Sequence, residues 1–446
     1  MRLLHTSDWH LGHRLYEKDR SQEQKLALSW LLDTIREHQV DVLIVSGDIF
    51  DLSNPPNYAR ESYYNFLAQI RETPCRHVII TGGNHDSPSM LNAPAAVFRH
   101  FNIHIIGAAT PDPKDQIIAL KDDNGQLEAL VAAVPFLRDR DLHYSQAGEA
   151  VEAREKRLQT AIKQHYGTLA THLLPYQNQR VPIITTGHLY AHGAAAKEKK
   201  SNIYVGNRKN IKGQDFPSIF DYVALGHIHR PQRVADLDHV RYSGSMIPLD
   251  FSEMADDKLV YLIDFPEEDQ AIRLQSSSSN SEQPTPKKTV VAGADITIIG
   301  GNIAITPVRV PLFRRLKQIE GTLDEVKKKL EKFLIKRAVD TKDQLETLPP
   351  WLEIRVKSDH PILQLREQLE DIMGDHPGEL LVVKLERSQQ AMSALAVPQP
   401  NLADLDLEEV FSQRCRGEAD DLPADYATLL DSFRALRNWQ QENEAV

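Results

Sequence analysis

Residues 40–51 read VDVLIVSGDIFD, a run of aliphatic and β-branched residues that stops abruptly at Gly47-Asp48. A run this short and apolar on both faces is the pattern of a strand buried in a covered sheet, here ending in a loop that carries a carboxylate. The pattern recurs along the chain. Arg2–His5 leads into Asp8, His77–Ile80 into Asn84-His85-Asp86, Pro182–Thr185 into Gly187-His188, and Tyr222–Leu225 into Gly226-His227. Between the first of these runs, Leu28, Leu31, Leu32 and Ile35, and then Tyr63, Phe66, Leu67 and Ile70, fall at i, i+3, i+4, i+7 and predict amphipathic helices. Asp123-Asn124-Gly125 lies between two alternating runs and predicts a hairpin, because Asn-Gly tolerates the positive φ such turns need. Strands alternating with helices, plus a hairpin, describe a layered α/β unit with mixed sheets.

The chain has 446 residues, more than one domain usually holds. With 41% hydrophobic and 26% charged residues it can bury a sizeable core. No apolar stretch is long enough to span a membrane, and the opening MRLLHTSDWH meets charge and histidine before a signal-peptide apolar region could form. Cys75 and Cys415 belong to no CxxC pair, which argues against a disulfide framework or a thiolate zinc site and fits a reducing cytoplasm. The net charge of −11 is concentrated in the tail, where residues 401–446 hold eleven Asp/Glu against four Arg. Residues 197–212 carry six basic side chains against one acid. That stretch suits phosphate neutralisation or an ordinary solvated loop equally well.

The first domain is expected over residues 1–274. Residues 275–289, QSSSSNSEQPTPKKT, are Ser/Pro-rich and polar, so 275–303 reads as a flexible linker or insertion. A strand near 305–310, a helix from Leu323, a strand at Trp351–Val356, a helix from Pro361 and a strand at Leu380–Leu385 predict a small α+β domain over 304–390. Over 391–446 two amphipathic helices are expected, one with Leu407, Val410 and Phe411, the other with Leu422, Tyr426, Leu429, Leu430, Phe433 and Leu436. Two helices cannot bury those stripes alone, so they pack on the body of the chain or dock in the groove of a partner.

The loops at the strand ends present Asp8-x-His10, Gly47-Asp48, Gly82-Gly-Asn-His-Asp86, Gly187-His188 and Gly226-His-Ile-His229. Ligands of α/β sheets collect outside the carboxyl ends of strands, so distant loops can converge. Carboxylates, imidazoles and a carboxamide without sulfur suit divalent manganese, iron or zinc. A carboxylate can bridge two ions, and such a pair acidifies a shared water and neutralises a phosphoryl group. Each fragment alone has an ordinary reading as a turn or a cap. Five of them in this order, each after an apolar strand, point to one centre.

The set DxH, GD, GNHD, GH and GHxH resembles the calcineurin-like metallophosphoesterase superfamily, whose fold is a two-sheet α/β sandwich with flanking helices. LLHTSDWHLG (3–12), VSGDIFD (45–51), TGGNHDS (81–87), VPFLRDRD (134–141), VALGHIHRPQ (223–232), VRYSGSMIPLDFSE (240–253) and LADLDLEEVF (402–411) are similar to the SbcD family, the nuclease subunits of bacterial SbcCD repair complexes. The resemblance is dense to about residue 265 and looser in the small domain, which it makes a capping, DNA-binding element. Residues 275–303 look expanded relative to the family.

This resemblance implies that Asp8, His10, Asp48 and His229 hold one metal and Asp48, Asn84, His188 and His227 the other, with Asp48 bridging. It leaves His85 as a catalytic, non-ligand histidine beside the scissile phosphate, where an imidazole can protonate the leaving oxygen. Asp86 either orients His85 and raises its pKa or makes a structural loop hydrogen bond. Asp51 stands where archaeal and eukaryotic relatives tend to have a second histidine. Arg138 and Arg140 either contact DNA or pair locally with Asp139 and Asp141. Also implied are two Mn2+ ions, 3′–5′ exonuclease action on double-stranded DNA, endonuclease action on single strands and hairpins, and a role in DNA repair and recombination. The chain contains no phosphate-binding GxxxxGK[ST] loop. ATP dependence would therefore come from an SbcC-like coiled-coil ATPase docked on the C-terminal helices, in a two-plus-two heterotetramer built on a homodimer. The alternatives are a phosphomonoesterase or cyclic-nucleotide phosphodiesterase with the same metals, and a DNA-end-binding scaffold with a structural metal.

Overall fold

The strand read from residues 40–51 lies inside an eight-stranded sheet whose order is Lys287–Val291, Ala294–Ile299, Ile303–Arg309, Leu259–Asp264, Arg2–Thr6, Val42–Ser46, His77–Thr81, Ile103–Ile106. The last four run parallel and the others pair antiparallel. The structure is a computed structural model, and it describes residues 1–142, 151–179, 181–192, 211–265, 287–291, 294–299, 303–340, 348–386, 411, 415 and 426–443. A second, six-stranded sheet runs Gln232–Val234, Leu237–Tyr242, Tyr222–Gly226, Ile183–His188, Leu127–Ala132, Ile117–Lys121. It too is mixed, and its Ile117–Lys121 and Leu127–Ala132 strands are the expected hairpin. There Gly125 has φ +79° and the Asp122 carboxylate accepts from the amides of Asn124 and Gln126.

The double-sided apolar character of the strands follows from four layers. Leu3, Val42, Ile44 and Ile79 of the first sheet meet Val131, Ile184, Tyr222 and Ala224 of the second between the sheets. On the outer face of the first sheet, Leu4, Leu43, Val45 and Ile80 pack against the Ser21–Glu37 and Asn57–Gln69 helices through Leu28, Leu31, Leu32, Ile35, Tyr63, Phe66 and Leu67. The second sheet is covered by the Val151–Leu173 helix through Ile162, Tyr166, Leu169 and Leu173. This is the calcineurin-like sandwich that the motif set implied.

The boundary after the sandwich differs from the expectation. Ile303–Arg309, read as the first strand of the small domain, pairs antiparallel with Leu259–Asp264 and belongs to the large sheet. Its alternation puts Ile303 and Ile305 into the core between the sheets beside Tyr261 and Ile263. Lys287–Val291 and Ala294–Ile299 extend the same sheet, so part of the expected 275–303 linker is β-structure, while 266–286 lies outside the described residues. The small sheet is Arg314–Gly321, Leu348–Lys357 and Glu379–Glu386, with helices Leu323–Asp340 and Leu365–Met373.

Contacts divide the chain into one unit of Met1–Val356 with Gln364–Lys384, and another of Lys357–Leu363 with Leu385–Val446. The small sheet is thus largely part of the first unit. Leu316 and Trp351 pack with Leu15 and Phe251, and the Arg314 guanidinium lies 4.1 Å from the centre of the Trp351 ring and 3.6 Å from Glu23. In the second unit the Tyr426–Asn443 helix carries Phe433, whose ring stacks on Phe411 at 4.3 Å. Leu407, Val410 and Leu422 of the expected tail helices, and most of the basic 197–212 stretch, lie outside the described residues. Among the described residues no helix is long and apolar enough to cross a membrane.

Candidate metal centre

The loops that follow the first two parallel strands stay zipped together beyond the sheet. Asp8 N donates to Gly47 O and His10 N to Asp48 O, each at 3.0 Å, then Leu11 N to Ile49 O at 2.9 Å and Asp51 N to Leu11 O at 3.1 Å. Side by side, these loops turn Asp8, His10 and Asp48 toward the end of the neighbouring sheet. The turns require left-handed backbone at residues that have a Cβ: φ is +51° at Asp8, +44° at His10, +48° at Asp48 and +97° at His227. Such conformations persist only where surrounding structure over-determines them, and they cluster at functional sites. The two sheets also close tightly. A Cβ on Gly226 would stand 1.9 Å from Ser46 O, so only glycine fits where the Tyr222–Gly226 strand meets the Val42–Ser46 strand.

All seven residues expected to bind metal gather here. Donor atoms of Asp8, His10 and His229 lie within 4.8 Å of one another, as do those of Asp48, His188 and His227. Asp48 stands between the groups, its Oδ2 3.1 Å from His188 Nε2 and 3.6 Å from His10 Nε2. Asn84 Oδ1 is 3.0 Å from His188 Nε2 and 2.9 Å from His227 Nδ1. The His227 amide donates to Asp8 Oδ1 at 2.9 Å and ties the two groups together.

Three of the four imidazoles are held from behind. His188 Nδ1 donates to Ser46 O at 2.9 Å, so its Nε2 faces the oxygens of Asn84 and Asp48, a position that demands a proton or a cation. His10 Nδ1 lies 3.0 Å from Asp51 Oδ1, and its buried Nε2 has no hydrogen-bond partner among the described residues. His229 Nδ1 lies 3.0 Å from Glu253 Oε1, and Lys258 Nζ is 2.6 Å from Glu253 Oε2. Gln24 accepts from Gly12 N and donates to His10 O, bracing the turn after His10.

The electrostatics follow from this packing. Burial, aided by His188, takes His227 down to about 3, so it is a neutral donor. Burial opposes charge on His188 as well, but Asp48 overrides it and holds that imidazole up at about 9. Asp48 stays ionised well below the usual carboxylate range despite its burial, because His188 and His10 face it. Lys258 and His229 likewise overcome burial to keep Glu253 ionised. Carboxylates, imidazoles and a carboxamide oxygen form a donor set suited to divalent cations of borderline hardness.

His85 sits at the rim. Its amide donates to Asp48 Oδ1 at 2.9 Å, its Nδ1 donates to Asp51 O at 2.7 Å, and its ring lies 5.0 Å from that of His10. With Nδ1 committed, Nε2 is the nitrogen that can carry or give a proton. The orientation comes from the Asp51 carbonyl, so of the two readings of Asp86 the structural loop hydrogen bond is the one that the structure shows. The Asp86 carboxylate accepts from the amides of Ile49 (3.1 Å), Phe50 (2.9 Å) and Gly83 (2.8 Å), stitching the Asp48 loop to the Asn84 loop. Arg138 contributes to the same loop: its Nη2 donates to Gly83 O (3.3 Å) and Asp86 O (2.9 Å), flanking Asn84-His85. Arg140 is exposed, 3.7 Å from Asp141. Glu253, Lys258 and Gln24 escape a sequence reading, since each acts through a ligand remote from it in the chain. The one pointer to Glu253 is that it closes the quoted segment 240–253.

Comparison with known proteins gives the family. The family model for calcineurin-like phosphoesterases matches residues 1–231, and one described as the type 5 capsule protein repressor C-terminal domain matches 312–418, beginning where the small sheet begins. The chain is 33% identical over 415 residues to the SbcD subunit of the SbcCD nuclease from Escherichia coli K12, covering 93% of this chain and 92% of the relative. It is 30% identical over 406 residues to the protein of the same name from Rhodobacter capsulatus, covering 90% and 91%. The Bacillus subtilis protein of that name is 30% identical over 269 residues, 59% of this chain and 66% of the relative. Sandwich, loop set and matches together make the chain a phosphoester hydrolase dependent on divalent metal. It belongs to the SbcD family of calcineurin-like phosphoesterases.

Proposed function

We propose that this protein is the nuclease subunit of an SbcCD-type assembly, hydrolysing DNA phosphodiester bonds in repair and recombination. The observation that carries the reading is the convergence on Asp48, whose Oδ2 lies between the His188 and His10 imidazoles while its Oδ1 accepts the His85 amide. In this reading Asp8, His10, Asp48 and His229 hold one cation, Asp48, Asn84, His188 and His227 hold the second, and Mn2+ is the native ion. When bound, such a pair supplies an acidified water and neutralises negative charge on the phosphoryl group.

The chain's own residues do the rest. Ser46, Asp51 and Glu253 accept from imidazole nitrogens and so aim the opposite nitrogens inward. His85, locked by the Asp51 carbonyl, offers Nε2 to protonate the departing sugar oxygen. Arg138 and Asp86 keep the Asn84-His85 loop from shifting as substrate enters. Exonuclease action on duplex ends and endonuclease opening of hairpins are the substrate modes, with a cytoplasmic location. ATP dependence is assigned to an SbcC-like coiled-coil ATPase on the C-terminal segment, within a two-plus-two complex of a homodimer. The names of the relatives, which make each of them one subunit of an SbcCD nuclease, support that partner.

The test is to incubate purified protein with Mn2+, with and without an SbcC-type ATPase and ATP, on an end-labelled hairpin duplex and on p-nitrophenyl phosphate. Shortened and opened DNA with little phosphomonoester turnover is expected. Turnover of the monoester with intact DNA would overturn the nuclease reading in favour of a phosphomonoesterase.

A further inference from the structure

The imidazoles on the two sides of Asp48 are not backed alike. On the side of Asp8, both have a carboxylate behind Nδ1: Asp51 Oδ1 at 3.0 Å for His10 and Glu253 Oε1 at 3.0 Å for His229. On the side of Asn84, His188 is backed by the neutral carbonyl of Ser46 at 2.9 Å, and His227 Nδ1 itself faces Asn84 Oδ1 at 2.9 Å. The donor sets differ in the same sense. One side has the carboxylate of Asp8 in addition to the shared Asp48, whereas the other has a carboxamide in its place.

A carboxylate that accepts from Nδ1–H pushes electron density toward the opposite nitrogen and stops the ring from turning, and a neutral carbonyl does this more weakly. The backing residues are themselves fixed, Glu253 through its carboxylate and Asp51 through its main chain. Glu253 Oε2 takes Lys258 Nζ at 2.6 Å and the Leu249 amide at 3.1 Å, while Asp51 is pinned through its amide to Leu11 O at 3.1 Å.

We infer that the two cation positions are unequal, and that Asp51 and Glu253 are the positioning residues that make the Asp8–His10–His229 position the tighter and first to fill. This rests on the dinuclear reading given above. At limiting cation the protein then carries one ion beside Asp8, and the Asn84–His188–His227 position fills only as the concentration rises.

The test titrates metal-free, full-length protein with Mn2+ by calorimetry, with the unbound ion followed by its electron paramagnetic resonance signal. Two steps separated by at least about tenfold are expected. Asp51→Asn and Glu253→Gln should each weaken the tighter step by about 10–100-fold and leave the weaker one in place. Asp51→Asn keeps the main-chain carbonyl that holds His85, so it isolates the carboxylate. Asn84→Ala should remove the weaker step and spare the tighter. A general loss of structure would weaken both steps together and lower the melting temperature of the metal-free variant, which separates it from a positioning effect. Two equal steps in the unaltered protein, or variants whose tighter step is unchanged, would overturn the inference while leaving a dinuclear centre intact. Absence of any Mn2+ binding by the unaltered protein would overturn the dinuclear reading itself. Should either backing variant fail to fold, the unaltered protein and Asn84→Ala still decide the question.

Discussion

A Cβ built on Gly83 would stand 2.1 Å from Asp48 Oδ1 and 2.3 Å from the Asp48 amide nitrogen. The glycine cannot retreat, because its amide donates to Asp86 Oδ2 at 2.8 Å and its carbonyl accepts from Arg138 at 3.3 Å. Gly83→Ala must therefore displace the carboxylate that stands between the His188 and His10 imidazoles. The expected outcome is loss of high-affinity Mn2+ binding together with about 1–3 kcal/mol of overpacking strain. Calorimetric titration and urea unfolding check the two effects separately, and an alanine variant that binds Mn2+ as tightly as the parent would refute the close approach.

His85 touches the centre only through its amide and its ring, so removing the ring should leave cation binding in place. His85→Ala is expected to bind Mn2+ within about threefold of the parent and to cleave labelled duplex DNA about 10²–10⁴-fold more slowly, the usual contribution of a positioned acid. Full cleavage by this variant would remove His85 from the chemistry.

The convergence of these residues is legible in the sequence because each follows directly from a strand that can be recognised by its own apolar run, as Asp48 follows Val42–Ser46 and His227 follows Tyr222–Gly226. The particular contacts between remote segments are not. Nothing around Glu253 announces that it backs His229, since that hydrogen bond forms on the face of the imidazole turned away from the motif. Adjacency leaves Asp86 undecided between pairing with His85 and a loop hydrogen bond, and the backbone decides for the loop by turning its carboxylate toward the amides of Ile49, Phe50 and Gly83. At Ile303–Arg309 the sequence reveals a strand but not its sheet, because alternation determines which face is buried and says nothing about which strand lies alongside.

The C-terminal segment falls in a different unit from the sandwich, and within it the rings of Phe411 and Phe433 stack at 4.3 Å. Deletion of residues 401–446 should leave Mn2+ binding and the melting transition of the phosphoesterase unit within experimental scatter. It should abolish co-elution with an SbcC-type ATPase in size-exclusion chromatography. Undiminished co-elution would move the docking surface elsewhere.

His5 lies between the two sheets, fully buried, with Nδ1 2.9 Å from the Tyr222 hydroxyl. Burial pushes its pKa from 6.5 down to about 3. The folded state therefore binds fewer protons at this position than the unfolded chain does between those values, and stability must rise with pH across that window. The contribution is fully present above about pH 6.5 and is lost as acid is added, with a limiting slope of about 1.4 kcal/mol per pH unit. Replacing the imidazole by a carboxamide, His5→Gln, retains a polar partner for Tyr222 and removes the titration. Urea unfolding of metal-free protein at about pH 7 and about pH 5 should show the parent losing more stability than the variant, so that the gap between them narrows in acid. A gap that stays constant or widens would mean that His5 is protonated inside the sandwich, and that the interface between the sheets admits water or a counter-charge.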